Sequence, residues 1–211
     1  METYLYGDRS ASTILLQPVD DHDLEGMERE VSLIQSTAAD FGLIALRVDN
    51  WNDDLSPWPA PAVFGRDAFG DGAAKTLEEV LRICGDRSRT YFIGGYSLAG
   101  LFALWAAYQT DVFAGAAAAS PSVWFPGFTD YVRQSDIKTP RVYLSLGDKE
   151  EKTKNTVMAR VGGCIRKIHT QLGEHGADCV LEWNPGNHFK DPEVRMARAF
   201  SWILERSASC S

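Results

Sequence analysis

Residues 91–105, YFIGGYSLAGLFALW, constrain this chain more than any other stretch. The apolar run Tyr91-Phe92-Ile93 leads into Gly94-Gly95, and from Leu98 to Trp105 the pattern is helical. A buried strand must therefore turn into a helix within a few residues. Gly95 and Ala99 are small because a larger side chain at either place would collide with the turn. Ser97 is forced into a strained backbone conformation with its hydroxyl pointing outward. This is a nucleophile elbow, and the strand–turn–helix context separates it from a chance match to a short motif.

The rest of the chain alternates in the same way. Residues 3–6 and 12–16 read as strands joined by Gly7-Asp8-Arg9. Residues 24–41 read as a helix, with Leu24, Met27, Val31, Ile34, Ala38 and Phe41 on its apolar face and Gly42 as its left-handed cap. A strand over 43–48 precedes a long irregular loop, 49–71, that carries Trp51, Trp58, Phe64, Phe69 and alternating prolines at Pro57, Pro59 and Pro61. Helices are expected over 73–84, 98–109, 153–172 and 192–206, with a short helical piece around Tyr131. Strands are expected over 90–93, 113–118, 141–146 and 180–183. Such alternation predicts an α/β fold, a mostly parallel sheet with helices on both faces. With 211 residues and no internal repeat or linker, a single domain over 1–211 is expected.

Composition removes several function classes. The formal net charge of −8 argues against nucleic acid, whose phosphates need a basic face. No apolar run approaches a membrane span, and the first residues lack the basic and apolar regions of a signal peptide. Cys84, Cys164, Cys179 and Cys210 form no Cys-x-x-Cys pair, so no metal site is expected. They read as reduced thiols of a cytoplasmic protein, with Cys210 in a Ser-rich tail.

In an open parallel sheet, functional groups gather beyond the C-terminal strand ends. Of the four histidines, His169 is expected inside a helix, His175 in the turn after it and His22 in a polar loop. His188 alone follows a late strand, across Asn184-Pro185-Gly186-Asn187, and is the expected base for Ser97. The acid should follow the strand over 141–146, where Asp148, Glu150 and Glu151 stand together. Glu150 is favoured over Asp148, since three residues past Gly147 there is room to aim a carboxylate at an imidazole. An oxyanion would need backbone donors. Leu98, at a helix N-terminus, supplies one; Val19, with Gln17 behind it, is expected to supply the other, because Pro18 has no N–H.

Ser97, Glu150 and His188, in that order on an alternating chain, resemble the α/β-hydrolase superfamily over nearly the whole sequence. Residues 91–108 and the run Ser120-Pro121-Ser122-Val123-Trp124 are similar in particular to the esterase family of enterochelin esterases, feruloyl esterases, S-formylglutathione hydrolases and mycolyltransferases. The resemblance implies a three-layer fold and a Ser–His–acid hydrolase with neither metal nor organic cofactor. The chain departs from the pattern at Ala99, which stands in place of a glycine. It departs again over 120–140, a stretch too short for a helical lid domain. The loop 49–71 is left as the expected wall of the substrate pocket, with Trp51, Trp58 and Trp124 flanking it, although each of these rings would serve equally as core packing.

An aromatic pocket suits an apolar or aromatic group on a small-molecule ester. The loop sets only Arg66 against Asp49, Asp53, Asp54, Asp67 and Asp71, which argues against a polyanionic substrate. The expected activity is cleavage of small soluble carboxylic esters through an acyl-enzyme. Acyl transfer by the same groups and a non-catalytic binding role on the same fold are the alternatives. The sequence leaves homo-oligomerisation open.

Overall fold

The structure is a computed structural model that describes residues 1–38, 40–63 and 65–208. Phe64 and Cys210 lie outside the described residues. The first half runs β1 (Glu2–Gly7), β2 (Thr13–Val19), α1 (Asp21–Gln35), β3 (Gly42–Arg47), α2 (Trp51–Asp54) and α3 (Ala73–Ile83). The second half runs β4 (Thr90–Tyr96), α4 (Ser97–Gln109), β5 (Phe113–Ala119), α5 (Phe128–Gln134), β6 (Arg141–Gly147), α6 (Val161–Glu174), β7 (Asp178–Asn184) and α7 (Pro192–Ala208).

The strands form one sheet in the order β1-β3-β2-β4-β5-β6-β7. Only β1, on β3, is antiparallel; every other pairing is parallel. Parallel strands need crossover helices, and these cover both faces. One face is packed by α3, α4, α5 and α6 through residues such as Leu77, Phe102, Phe128 and Ile165. The other is packed by α1 and α7 through Met27, Ile34, Met196 and Phe200. No helix of the described residues is long and apolar enough to cross a membrane.

The centre of the sheet positions the site. α4 is apolar on all sides, and every residue from Leu98 to Tyr108 is buried. It can lie that close to β4 because Gly95 brings no side chain to the crossing point and Ala99 only a methyl group. A Cβ on Gly95 would stand 2.4 Å from the backbone carbon of Ala99. Gly163, on α6, has nothing within 4 Å of such a Cβ. The two glycines should thus respond oppositely to alanine. Gly95→Ala is expected to cost about 3 kcal/mol or more through overpacking against backbone. Gly163→Ala should gain roughly 0.5–1 kcal/mol of helix propensity. Urea midpoints measure both, and a near-neutral Gly95→Ala would refute the close-crossing account.

Three expectations are corrected. α1 starts on an Asp20–Asp23 capping box and ends at Gln35, well short of residue 41. Phe41 still reaches the core, but from the connection, and Gly42 opens β3 instead of capping a helix. Its glycine answers a close approach, since a Cβ would lie 2.7 Å from Asp8 O. The helix expected over 153–172 starts only at Val161. Asn155 Oδ1 accepts the N–H groups of Val157 and Met158, a local alternative to helical bonding that holds the preceding segment in turns. Finally, the loop 49–71 is not irregular throughout. It begins with α2, and Ala60 and Phe69 pair as an antiparallel bridge.

Candidate active site

Ser97 follows β4 directly, with φ of 56°. A non-glycine residue in the left-handed region is strained, and the packing of β4 on α4 imposes it. Among the described residues only Ser120 and Asp191 share this feature. Ser97 and Ser120 each stand just past the end of a strand, β4 and β5, and Asp191 just before α7.

The fold brings three distant side chains into one hydrogen-bonded line. Ser97 Oγ is 3.0 Å from His188 Nε2, and His188 Nδ1 is 2.7 Å from Glu150 Oε2. His188 lies beyond the end of β7, and Glu150 opens a single turn of 3-10 helix beyond β6. The other oxygen of Glu150 accepts from Gly147 N–H at 2.7 Å, Ser120 Oγ–H at 2.7 Å and Arg195 Nη1 at 2.8 Å. Burial pushes the Glu150 carboxyl up. The hydrogen bond and charge of His188 outweigh that, aided by Ser120 and Gly147, and the carboxyl is held below its ordinary value. It is therefore an ionised acceptor at neutral pH.

The neighbouring carboxylates are placed elsewhere. Asp148 is exposed and accepts from Gly186 N–H at 2.7 Å, tying the end of β6 to the turn after β7. Glu151 pairs with Arg166 on α6. Neither approaches the imidazole.

Leu98 is where the expected donor should be, at the N-terminus of α4 behind Ser97. Val19 is not. It ends β2 instead of standing in a loop. Its register with Arg47 and the bond from Val48 N–H to its carbonyl turn its amide toward β3, where the ladder consumes it. Gln17 has the same parity, and its side chain reaches Glu30 instead.

A cavity of about 440 Å³ opens beside His188. Trp124, Met158, Val161 and Phe189 form its apolar lining, and Lys149 and Lys152 add charge. Its wall is therefore the segment after β6 and the tip of the histidine loop. Its lining includes neither Ser97 nor any residue of the loop 49–71. In that loop, Val63 O accepts from Asn155 Nδ2 at 2.6 Å. Of the expected aromatic residues, Trp124 lines the cavity; Trp51 and Trp58 do not. Trp51 packs against the core. Trp58 donates Nε1–H to Pro126 O and packs on Phe125, Phe128 and Tyr131.

Sequence reasoning missed four residues here. Ser120 and Ser122 belong to the Ser-Pro-Ser run noted above, and Ser122 Oγ is 3.4 Å from Ser97 Oγ. Tyr96 donates its hydroxyl proton to His188 O at 2.7 Å, and burial raises that phenol to about 12, so it stays un-ionised. Arg195 is buried on α7; a helical arginine reads as solvated, and no local signal marks it. Among the described residues no group of three or more His, Cys, Asp or Glu could hold a metal ion. Cys84, Cys164 and Cys179 are free thiols whose burial raises them above their ordinary value.

Strand order, a serine elbow after the central strand and an imidazole after the last define the α/β-hydrolase fold. The chain is similar to an IroE-like serine hydrolase from Shewanella oneidensis, with a TM-score of 0.77 at 14% identity, over 96% of this chain and 75% of that one. It is similar to the siderophore hydrolase EstA of Aspergillus nidulans, with a TM-score of 0.65 at 18% identity, over 97% and 86% of the two chains. A Bacillus cereus carboxylesterase gives a TM-score of 0.64 at 14% identity, over 97% and 94%. In sequence the chain is 25% identical over 200 residues to the uncharacterized protein YbbA of Bacillus subtilis (strain 168), covering 85% of this chain and 80% of that protein. No protein-family model matches it.

Proposed function

We propose that this protein is a serine esterase that cleaves small carboxylic esters through an acyl-enzyme. The observation that carries the reading is the unbroken line from Ser97 Oγ through His188 to the buried Glu150 carboxylate, built on a strained elbow. Ser97 Oγ attacks the ester carbonyl while His188 Nε2 takes its proton. Glu150 holds Nδ1–H and stabilises the imidazolium. The developing oxyanion meets Leu98 N–H, whose helix N-terminus favours negative charge. His188 then gives its proton to the leaving alcohol, and the acyl group stays on Ser97. A water molecule, deprotonated by His188, releases the acid and restores the hydroxyl.

Hydrolysis is favoured over acyl transfer by the open mouth of the site. The His188 side chain is 24% exposed and Phe189 is 86% exposed, so water reaches the acyl-enzyme freely. The apolar lining suits a short or aromatic acyl group. Lys149 and Lys152 support a second reading of the substrate, an ester that carries negative charge. The acidic loop 49–71, which disfavours an anionic substrate, contributes no residue to the lining of this cavity. A siderophore ester belongs to that class and fits the name of the Aspergillus nidulans neighbour.

A fluorophosphonate probe with peptide mapping tests the reading, beside a panel of p-nitrophenyl esters. Label is expected on Ser97, with short and aromatic acyl groups cleaved faster than long aliphatic ones. Folded protein that takes no label would overturn it. A lower KM for esters bearing a carboxylate than for neutral ones would select the anionic substrate class.

A further inference from the structure

We propose that Arg195 is a positioning residue for this site, a buried fork that locks the carboxylate of Glu150 and the loop of His188 into one geometry. The inference rests on the Ser97–His188–Glu150 reading above. The Arg195 side chain is 3% exposed and faces a Glu150 side chain that is 5% exposed. Nη1 lies 2.8 Å from Glu150 Oε1, 2.9 Å from Ser120 Oγ and 3.0 Å from Tyr96 OH. Nη2 donates to Asn187 O at 2.8 Å and reaches Pro185 O at 3.4 Å. Tyr96 in turn donates to His188 O. One guanidinium thus bridges the acid after β6, the histidine loop after β7 and the end of β4 that carries the nucleophile.

A buried ion pair roughly breaks even against apolar packing, so stability alone is a weak reason for this one. Its geometry supplies a stronger reason. The planar fork offers fixed donors to a carboxylate and to backbone carbonyls at once, which a lysine ammonium cannot do. It leaves Oε2 of Glu150 as the oxygen that meets the imidazole.

Arg195→Met and Arg195→Lys test this, with Ser97→Ala alongside. Arg195→Met should lower kcat about 10- to 100-fold, since small misplacement of reacting groups costs this much. KM should stay within about twofold, the signature of an interaction that acts on the chemical step. Arg195→Lys keeps the charge and loses the fork, so kcat should still fall at least about tenfold, with KM again within about twofold. A folded Arg195→Met protein with wild-type kcat, or with its loss carried by a raised KM at unchanged kcat, would overturn the proposal. If Arg195→Met does not fold, Arg195→Lys decides alone, and wild-type kcat in that variant overturns it. Ser97→Ala separates the two readings. Turnover that survives in Ser97→Ala refutes the esterase mechanism itself. Loss of turnover there, with Arg195 variants unchanged, refutes only the positioning role.

Discussion

Ser97→Ala should lower kcat on a p-nitrophenyl ester by about a millionfold, as removal of a nucleophile does in other serine enzymes. The loss is purely chemical. Among the described residues the Ser97 side chain hydrogen-bonds only His188 and Ser122, and the elbow is held by glycine and alanine packing that the substitution leaves alone. Melting temperature should therefore stay close to wild type. The residual rate should still exceed that in water, because Leu98 N–H remains in place. A folded Ser97→Ala protein with activity within about tenfold of wild type would end the acyl-enzyme reading.

Glu150→Gln should cost about 10⁴-fold in kcat, the scale seen when an amide replaces the acid of such a triad. The cause is local. One carboxylate oxygen accepts from three donors and the other faces Nδ1 of His188. A glutamine amide group must turn its NH₂ toward one of these sides and oppose a donor there. Arg195 also loses its counter-charge in a buried site, so about 3–5 kcal/mol of stability should go with the activity. Asp148→Asn is the contrast. That side chain is exposed, and an asparagine oxygen can still accept from Gly186 N–H, so kcat should change by only a small factor. Kinetics and urea melts on both variants measure this, and the reverse ranking would remove Glu150 from the mechanism.

The Glu150 carboxyl also predicts a pH dependence of stability. Its folded-state value lies below the ordinary one. Its stabilising contribution is thus fully present above the unfolded carboxyl value and is lost as pH falls through the folded one. The stability of Glu150→Gln should vary less over that acid range than that of wild type.

Much of the site was legible because its members obey chain-local rules. Ser97 is marked by the glycine and alanine that let β4 cross α4. His188 is marked by its place after a late strand. Spacing ranks Glu150 above Asp148, and the structure separates them by setting Glu150 Oε2 2.7 Å from His188 Nδ1 while Asp148 accepts from Gly186 N–H. The α1 boundary was overestimated because Ala38 and Phe41 continue the apolar spacing while serving the core from outside the helix. Val19 failed because pairing direction along β2, set by its neighbour β3, decides where an amide points, and no local pattern encodes that.

Sequence alone determined the alternation of strand and helix, the strained serine and the order of serine, acid and histidine. Apolar periodicity and the small size of Gly95 and Ala99 act over a few residues, so they can be read from one dimension. Tertiary structure decided which segment walls the cavity, which tryptophan faces it and why Arg195 is buried. Those outcomes depend on which strand ends lie side by side across the sheet, and so on contacts between residues far apart in the chain.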